Sequence, residues 1–552
     1  MKVDVRRGEV VRQLARDNYD VNDAWLCDKG RFAHRFPDSP SRITTPLIRD
    51  KGLEPASFGE VLSRIGEWTD GARVAILTGG RLMDEDYYAL SKLARTVFRT
   101  NDLDHRRAGG PELAERVAAG APMGVTYRDV ENAKAILVVG LDAEQEVPIL
   151  HLRLRKAAQR GARIWVLHPR RTRLHDLATH ILCVPGAEGR LLAGGADAGV
   201  DEALAALRDA GPEALVIAGE RDGAADAAFA AALTVGLRFA YVTRRANDRG
   251  ALRAGVHPSL LPGGRMLEEA DDVERSWGPL MNREPGRDAH AILRACVDHE
   301  VDVLFCVGVD PLRDHPDGAL ARRALQNVPV VVVQSLELGL LEPYATAFLP
   351  AAPFIEKQGH VTTWEGRGQR IRPIRGPKGI SLPDWEIFAS MALACGGDLG
   401  FETLDELHAE MGALLAPRSV GVMVGMHSPP EPEGLALFSY PLLIDGGSLS
   451  ERADELKAAL EEQPFVEIHP DDAAEAGIIH GVPVTVRTDA DEVTLPARVT
   501  EHVAKGAIFV PFNQPGAAAN TLLSGRMVTP ATLVAAGATI EGATPEPVGS
   551  EA

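Results

Sequence analysis

The stretch "AKAILVVGLD" (residues 133–142) decides the fold class. It is apolar along nearly its whole length, and two further stretches follow it: the helix-like "VPILHLRLRKAAQRG" (147–161) and the apolar "ARIWVLHPRR" (162–171). Strands that are apolar on both faces are typical of parallel sheets covered by helices. The three stretches therefore predict a right-handed strand-helix-strand unit, as in α/β proteins.

The same apolar pattern recurs along most of the chain. Helices are predicted at 84–98, 201–210 and 222–232. A linker rich in Pro, Gly and Ser (417–434) precedes short strands with tight turns, which predict a β-rich C-terminal domain forming a barrel. Further buried strands are predicted in "RVAILTGG" (73–80), "ALVIAGE" (214–220), "RFAYVTRR" (238–245), "VDVLFCVGVD" (301–310) and "VPVVVVQS" (328–335).

Composition narrows the class of protein. A chain of 552 residues predicts several domains. Its net charge of -19 argues against bulk binding to nucleic acid or to an anionic membrane surface. Five cysteines without framework spacing favour a reducing compartment over a disulfide scaffold. No run of 18 apolar residues predicts a membrane span, and the first residues lack a signal-peptide core.

Cys27 lies in "WLCDKGRFAH" (25–34), among charged residues and a glycine. A lone cysteine is most often a small buried apolar residue. This setting instead favours a metal ligand over a nucleophile, because nearby cations and N–H donors stabilise a thiolate. One cysteine cannot hold a cluster by itself, and the next cysteine in the chain is Cys183.

Several polar stretches have both a structural and a functional interpretation. Each follows a predicted strand or helix, where side chains either make turns and surface ion pairs or bind ligands. No histidine pair has metal-ligand spacing on a helix, so the histidines are predicted to be surface or packing residues. The stretches are "RTNDLDHR" (99–106, a turn or a pterin edge), "LHPRRT" (167–172), "VGVDPLRDHP" (307–316), the long loop 244–265 and the hairpin-like 348–371.

Read in chain order, a set of motifs resembles the molybdopterin oxidoreductase superfamily. The resemblance is stronger to the large iron-sulfur subunit (the G subunit) of bacterial respiratory complex I, NADH-quinone oxidoreductase. "RRANDRGALRAGVHPSLLPGGR" (244–265) is the stretch most specific to that subunit. The other motifs are "NYDVNDAWLCDKGRF" (18–32), "SRITTPLIRDKGLEPASFGEVL" (41–62), "TNDLDHR" (100–106), "HPRRT" (168–172), "EKQGHVTTWEGRGQ" (356–369) and "PDDAAEAGIIHGVPVTV" (470–486).

The resemblance implies an α/β fold of several domains. A molybdopterin-oxidoreductase-like body with parallel sheets would be followed by a C-terminal double-psi β-barrel. The expected divisions are a remnant of a 4Fe-4S segment at 1–50, the α/β domains at 51–420, a barrel similar to molybdopterin-dinucleotide-binding domains at 435–540, and a tail at 541–552.

The resemblance also implies a single metal-ligating residue. Cys27 matches the fourth ligand of a 4Fe-4S cluster, and the other three would lie upstream of this sequence. We therefore expect either a truncated product or a gene that lost its cluster-binding half. Where active molybdenum enzymes place a metal ligand, this chain offers only Asp104 or Glu112, so no catalytic or cofactor-binding residue is assigned and molybdopterin is expected to be absent.

The function that the resemblance implies is that of a subunit in the peripheral arm of NADH-quinone oxidoreductase. The subunit would be mainly structural or associated with electron transfer, without an active site of its own, and would contribute to NADH oxidation coupled to quinone reduction. Its partners would be the flavin- and NADH-binding subunit and other arm subunits, at the cytoplasmic face of the membrane, and the isolated chain would be soluble. The alternatives are an active molybdopterin-dependent oxidoreductase of the formate dehydrogenase type and a degenerate globular protein without partners.

Overall fold

The computed structural model describes residues 1–107, 112–221, 224–421, 433–516 and 519–535. Strands and helices alternate through most of the chain before the barrel. The strands are β1 (Lys2–Arg6), β2 (Glu9–Leu14), β3 (Leu47–Arg49), β4 (Leu53–Pro55), β5 (Val74–Thr78), β6 (Leu103–Asp104), β7 (Ala135–Val139), β8 (Arg163–His168), β9 (Thr179–Leu182), β10 (Ala214–Ala218), β11 (Arg238–Tyr241), β12 (Leu260–Leu261), β13 (Arg265–Met266), β14 (Val303–Val307), β15 (Val330–Ser335), β16 (Ala347–Pro350), β17 (Gly359–Thr362), β18 (Gly368–Ile371), β19 (Leu435–Phe438), β20 (Val466–Ile468), β21 (Pro483–Arg487), β22 (Glu492–Val499), β23 (Ala507–Phe509) and β24 (Val528–Ala535).

The helices are mostly short, and one of them, α3, continues into a π-helical turn at Leu93–Val97. They are α1 (Asp28–Phe32), α2 (Phe58–Thr69), α3 (Asp84–Lys92), α4 (Glu112–Gly120), α5 (Tyr127–Asn132), α6 (Ala143–Glu146), α7 (Pro148–Gln159), α8 (Glu188–Leu192), α9 (Ala198–Ala210), α10 (Ala224–Thr234), α11 (Asp248–Arg253), α12 (Asp271–Trp277), α13 (Ala289–Val297), α14 (Pro311–Asp314), α15 (Gly318–Asn327), α16 (Asp384–Ala394), α17 (Leu404–Leu414), α18 (Asp454–Leu460), α19 (Pro470–Glu475) and α20 (Ala519–Leu522).

Two separate sheets form the α/β body. The larger has seven strands in the order β4-β3-β16-β15-β14-β5-β6, parallel except for β3 and β4. The smaller has five parallel strands in the order β11-β10-β7-β8-β9. Every residue of β5, β7, β10 and β14 is buried, which confirms the predicted parallel sheets with both faces covered.

Helices cover both faces of each sheet. On the larger sheet, α2, α3 and α16 pack on one face, and α13 and α15 pack on the other. On the smaller sheet, α9 and α10 lie on one face, and α5 and α7 lie on the other. The chain leaves the larger sheet after β6, builds the whole smaller sheet, and returns at β14, which pairs directly with β5.

The C-terminal region is a closed barrel of six strands, in the order β19-β23-β20-β22-β21-β24. The pairs β19–β23 and β20–β22 are parallel, and the other pairs are antiparallel. The predicted C-terminal barrel is therefore confirmed. Most of the predicted linker, the last residues of the predicted barrel range and the predicted tail lie outside the described residues.

The first 50 residues contain the hairpin β1–β2, helix α1 and strand β3 of the larger sheet. One prediction about an irregular segment was wrong. The stretch 244–265, predicted to be a long loop, forms α11 and the hairpin β12–β13. In the described part of the chain, no helix is both long and apolar enough to cross a bilayer.

Arginines of the stretch 244–265 form hydrogen bonds with backbone carbonyls inside the protein. Arg249 is fully buried and donates to the carbonyl of Ala121 at 2.5 Å. Arg265 donates to the carbonyls of Pro262 and Leu414 at 2.7 and 2.9 Å. A composition rich in Gly, Arg and Pro resembles that of an exposed loop, but within the body backbone carbonyls accept hydrogen bonds from both of these guanidinium groups.

Candidate functional site

A cleft lies where the carboxyl ends of both parallel sheets face the barrel. This is the edge at which open α/β sheets commonly bind ligands. The body contributes residues that follow β6, β7, β10 and β11, and the barrel closes the cleft from the other side. The lining residues used below are Arg106, Arg107, Glu115, Glu146, Glu188, Glu220, Arg221, Arg244, Arg245, Asp248 and Tyr440.

Among the described lining residues, five arginines face five acidic residues. Arg106 lies 3.2 Å from Glu115. Glu146 lies 3.8 Å from Arg221 and 3.6 Å from Arg244. Because the numbers of arginines and acidic residues are equal, the cleft carries little net formal charge to attract a phosphate-bearing ligand.

Burial favours the neutral forms of several ionisable side chains in the cleft. It raises the pKa of Glu115 to about 7, even beside Arg106, whose guanidinium is shared with Asp104. Burial also raises the pKa of Glu220. Burial, together with the nearby charges of Arg244 and Arg245, lowers the pKa of Arg107 well below its ordinary value.

Arg107 is the feature of the cleft that best suits an anion. Its Nε and Nη1 atoms are buried and have no hydrogen-bond partner among the residues that the structure describes. Its guanidinium lies over the ring of Phe512, 5.0 Å from the ring centroid. Arg221 and Arg245 each have one further buried donor without a partner among the described residues. Three guanidinium groups with free donors are still a smaller feature than a dinucleotide site, which needs several phosphate and base contacts.

A molybdopterin dinucleotide, which the sequence resemblance implies for the fold, does not fit the described cleft. The cleft has a cavity volume of about 90 Å³. Sites for drug-sized ligands have volumes of roughly 300–1,000 Å³. Asp104 is unsuited to bind a metal because both its oxygens are occupied. They accept from Arg106 Nε at 2.9 Å and from the amide of Ala289 at 3.0 Å. The side chain of Glu112, the other candidate ligand, lies outside the described part of the structure.

The stretch 99–106 uses its polar groups to hold loops in place. Asn101 donates to the carbonyls of Asn282 and Glu284 at 3.2 and 2.8 Å. The Nδ1 atom of His105 lies 2.7 Å from the carbonyl oxygen of Val256. Of the two interpretations of this stretch, these contacts support the structural one.

The stretch 167–172 connects the smaller sheet to the barrel. Arg170 donates to both carboxylate oxygens of Glu467, at 2.6 and 2.9 Å, and to the hydroxyl of Tyr440 at 3.0 Å. The same hydroxyl donates to Asp142 at 2.9 Å. A guanidinium that is used in this way is not free to bind a phosphate, so this motif serves the contact between body and barrel.

In the stretch 307–316, Asp310, Arg313 and Asp314 also bind protein groups. Arg313 lies 3.1 Å from Glu451 of the barrel region. Burial and the nearby Asp314 raise the pKa of Asp310 to about 6. Burial opposes ionisation of Asp314 too, but the guanidinium groups of Arg81 and Arg245 outweigh it and lower its pKa to about 2.

The stretch 348–371 contains the hairpin β17–β18, which matches the structural interpretation. The acidic first turn of α3 holds this segment in place. Asp84 accepts from the hydroxyl of Thr362 at 2.6 Å. Asp86 accepts from Lys357 at 2.6 Å, and Lys357 also donates to Asp384.

The third acidic residue of that turn, Glu85, meets two histidines. Its Oε1 atom lies 2.6 Å from Nδ1 of His360 and 2.7 Å from Nε2 of His408. Burial opposes ionisation of Glu85, but the hydrogen bonds from the two rings outweigh it and hold its pKa below the ordinary value. We call these three residues the Glu85 cluster. Sequence reasoning missed it, because the only local signal was the acidic run "DED" (84–86) at a helix start.

Cys27 is the N-cap residue of α1, and its Sγ atom accepts from the amide of Gly30 at 3.3 Å. Lys29, two residues on, forms an ion pair with Asp445 at 2.7 Å. Cys27 is half-buried and is not in a disulfide. Among the described residues, Cys27 belongs to no group of three or more His, Cys, Asp or Glu donors.

Three family profiles match the chain. The molybdopterin oxidoreductase profile matches residues 42–393, and the molybdopterin dinucleotide binding domain profile matches residues 447–538. The profile described as the NADH-ubiquinone oxidoreductase NDSU1/NuoG-like 4Fe-4S domain matches residues 1–35, which include Cys27.

Individual proteins agree with these profiles. The G subunit of NADH-quinone oxidoreductase from Mycobacterium bovis is 36% identical, over 93% of this chain and 66% of the relative. Its counterpart in Streptomyces coelicolor is 35% identical, over 99% of this chain and 70% of the relative. The chain therefore spans about two thirds of the length of these relatives.

Two more distant proteins also match the chain. The F420-dependent formate dehydrogenase 2 subunit alpha of Methanococcus maripaludis is 28% identical, over 94% of this chain and 93% of that protein. The solved structure of acetylene hydratase from Pelobacter acetylenicus superposes with a TM-score of 0.61 at 14% identity, covering 95% of this chain and 93% of that chain. The second match supports the fold alone.

Proposed function

The chain belongs to the family of NADH-quinone oxidoreductase G subunits, within the molybdopterin oxidoreductases, and on this premise we propose that it is a subunit of the peripheral arm of respiratory complex I. Its role is mainly structural or associated with electron transfer. It contributes to NADH oxidation coupled to quinone reduction through the complex and has no active site of its own.

The main support for this proposal is the cleft between the sheets and the barrel, which is small and contains ion pairs between its own side chains. Three of its five guanidinium groups pair with its own carboxylates, and its free volume is about 90 Å³. Asp104 is fully buried in an ion pair with Arg106. A body arranged in this way supports neighbouring subunits rather than redox chemistry at a bound metal.

We propose Cys27 as one ligand of a 4Fe-4S cluster whose remaining ligands come from outside the described chain. An N–H donor at 3.3 Å and the nearby Lys29 suit a cluster thiolate. Trp25 and Phe32 flank this segment with 61% and 49% of their surface exposed, and exposed aromatic side chains suit a covering partner. Four thiolates normally hold such a cluster, so Cys27 alone is insufficient.

The partners that we propose are the flavin- and NADH-binding subunit and its neighbours in the arm. Attachment through these subunits places the chain at the cytoplasmic face of the membrane. The chain's formal charge of -19 makes direct adsorption to anionic lipid unfavourable.

Co-purification and metal analysis together test this proposal. We expect the chain, expressed with the flavin- and NADH-binding subunit, to co-purify with it and to contain neither molybdenum nor tungsten nor pterin. Stoichiometric molybdenum with pterin would contradict the structural role. A stable monomer that does not bind the flavin- and NADH-binding subunit would contradict the assignment to the peripheral arm.

The alternative, an active oxidoreductase of the formate dehydrogenase type, is favoured by one observation. The match to the F420-dependent formate dehydrogenase subunit covers 93% of that protein, more than is covered of either G-subunit relative described above. Formate-dependent reduction of an artificial electron acceptor by the purified, metal-loaded chain would support this alternative. We expect no such activity.

A further inference from the structure

Three donor side chains from distant parts of the chain meet on one side of the body. Glu85 comes from the first turn of α3, His360 from strand β17 and His408 from helix α17. Their ligand atoms all lie within 4.8 Å of one another, and no other such group of three His, Cys, Asp or Glu donors exists among the described residues. The two histidines lie 275 and 323 residues after Glu85.

We propose that Glu85, His360 and His408 bind a divalent transition-metal ion of the zinc class, with water completing the coordination. This site is independent of the proposed role in electron transfer. Two imidazoles and one carboxylate are a donor set that zinc and other first-row ions prefer. Calcium and magnesium prefer sets made entirely of oxygen atoms, so the chemistry of this group argues against them.

The spacing of the donors suits an ion after a small side-chain movement. Metal–ligand distances of about 2.0–2.2 Å place the donors of a tetrahedral site about 3.3 Å apart. Oε1 of Glu85 now lies 2.6 and 2.7 Å from the two imidazole nitrogens, at hydrogen-bond distance. An ion would take the place of the bridging hydrogens, so binding would release any proton that the cluster holds.

The carboxylate is already oriented for this role. Glu85 is fully buried, and its second oxygen, Oε2, accepts from the backbone amide of His360 at 2.8 Å. Such an outer hydrogen bond fixes the direction of a ligating carboxylate. The ion pair of Lys357 with Asp86 at 2.6 Å holds the strand that carries His360 against the helix that carries Glu85.

The two rings leave an entry path for the ion. The side chains of His360 and His408 are 36% and 30% exposed, whereas that of Glu85 is fully buried. The ion would therefore bind with a rigid buried donor on one side and two movable rings on the other. Because the three donors belong to three elements, a bound ion would cross-link α17 to the body and raise the stability of the fold.

Titration of the chelator-treated full chain with CoCl₂, followed by d–d absorbance and calorimetry, tests the proposal. We expect one Co²⁺ per chain. His360→Gln and His408→Gln should each weaken binding by more than about 100-fold, since loss of an outer hydrogen bond alone costs about 10–100-fold. His480→Gln, at an exposed histidine of the barrel region, is the matched control and should bind as the unaltered chain does.

Thermal unfolding with ZnCl₂ provides a second measurement. Zinc should raise Tm for the unaltered chain and the control, but not for either histidine variant, while CaCl₂ should leave all four unchanged. The metal-free Tm of each variant reports whether it is folded. Absence of Co²⁺ binding, or unchanged affinity in both folded histidine variants, would overturn the proposal.

Discussion

The cleft between the sheets and the barrel contains ten charged side chains, and the Glu85 cluster contains three ionisable ones, yet the smaller group is better suited to bind an ion. In the cleft, guanidinium groups are largely paired with carboxylates of the same cleft. In the cluster, the fully buried carboxylate of Glu85 contacts the partly exposed rings of His360 and His408. These three side chains are all ligands that one class of metal ion prefers. The difference shows that the number of charged groups does not measure the capacity to bind an ion; convergent, reachable donors of one coordination chemistry do.

The largest expected effect comes from removing the buried ammonium that holds the hairpin beside the cluster. Lys357→Met keeps the length of the side chain but leaves Asp86 and Asp384 buried without a cation. Breaking a buried pair in this way costs about 3–5 kcal/mol of unfolding free energy. Denaturant titration measures it, with the exposed Lys51→Met as control, which should change stability by less than about 0.5 kcal/mol.

The same variant also tests whether the hairpin affects metal binding at the Glu85 cluster without affecting the contact between body and barrel. If the hairpin positions His360, Lys357→Met should also weaken Co²⁺ binding, while the contact between body and barrel stays intact. Full retention of stability and of Co²⁺ binding would show that the ion pairs of Lys357 do not organise the cluster.

A smaller effect, dependent on pH, is expected in the cleft. Burial raises the pKa of Glu115 to about 7 from an ordinary value of 4.5. Below 4.5 the carboxyl is protonated in both the folded and unfolded chain, so its stabilising contribution is complete. As pH rises through about 7 that contribution is lost, because the unfolded chain releases its proton more easily.

Glu115→Gln, which is neutral at every pH, should therefore gain stability relative to the unaltered chain between pH 4.5 and 7. The gain should be about 2–3 kcal/mol, on the scale of 1.36 kcal/mol per pKa unit. Unfolding free energies measured across this range test it. A flat difference for Glu115→Gln across this range would contradict the raised pKa.

The contact between body and barrel should be weakened moderately by Tyr440→Phe. The hydroxyl of Tyr440 accepts from Arg170 at 3.0 Å and donates to Asp142 at 2.9 Å, and both bonds are lost in the variant. We expect a loss of about 1–2 kcal/mol, since buried partners are left unpaired. Tyr344→Phe is the control, because the one contact of its hydroxyl among the described residues is with Arg322 at the surface, at 3.4 Å. Equal losses in the two variants would show that Tyr440 does not join the regions.

The smallest effect is expected for Cys27→Ser. Serine can also cap α1, so the unfolding free energy should change by less than about 0.5 kcal/mol. Iron-sulfide reconstitution should give neither the unaltered chain nor the variant a 4Fe-4S absorbance. A stable cluster in the isolated unaltered chain, lost in Cys27→Ser, would show that the other ligands lie within this sequence.

The sequence predicted most of what depends on local pattern. The apolar runs around β5, β7, β10 and β14 indicated the parallel sheets, and the change of pattern after the linker indicated the barrel. Arg170 was placed correctly at the carboxyl end of a strand, but its partner Glu467 belongs to the barrel, so its role depended on tertiary structure. The Glu85 cluster could not be predicted from spacing, because its donors meet only after three distant elements pack together.

The insertion of the smaller sheet into the larger one has a consequence for the order of folding. All five strands of the smaller sheet lie between Ala135 and Tyr241, so their pairings close loops within one continuous segment, the longest between Ala135 and Ala214. In the larger sheet, Val74 pairs with Val303, and that pairing must wait until the whole insertion has been synthesised. Since local contacts form faster and domains fold as they emerge from the ribosome, the inserted sheet is expected to fold first. The folded smaller sheet then brings together the two chain segments, before and after it, that form the larger sheet.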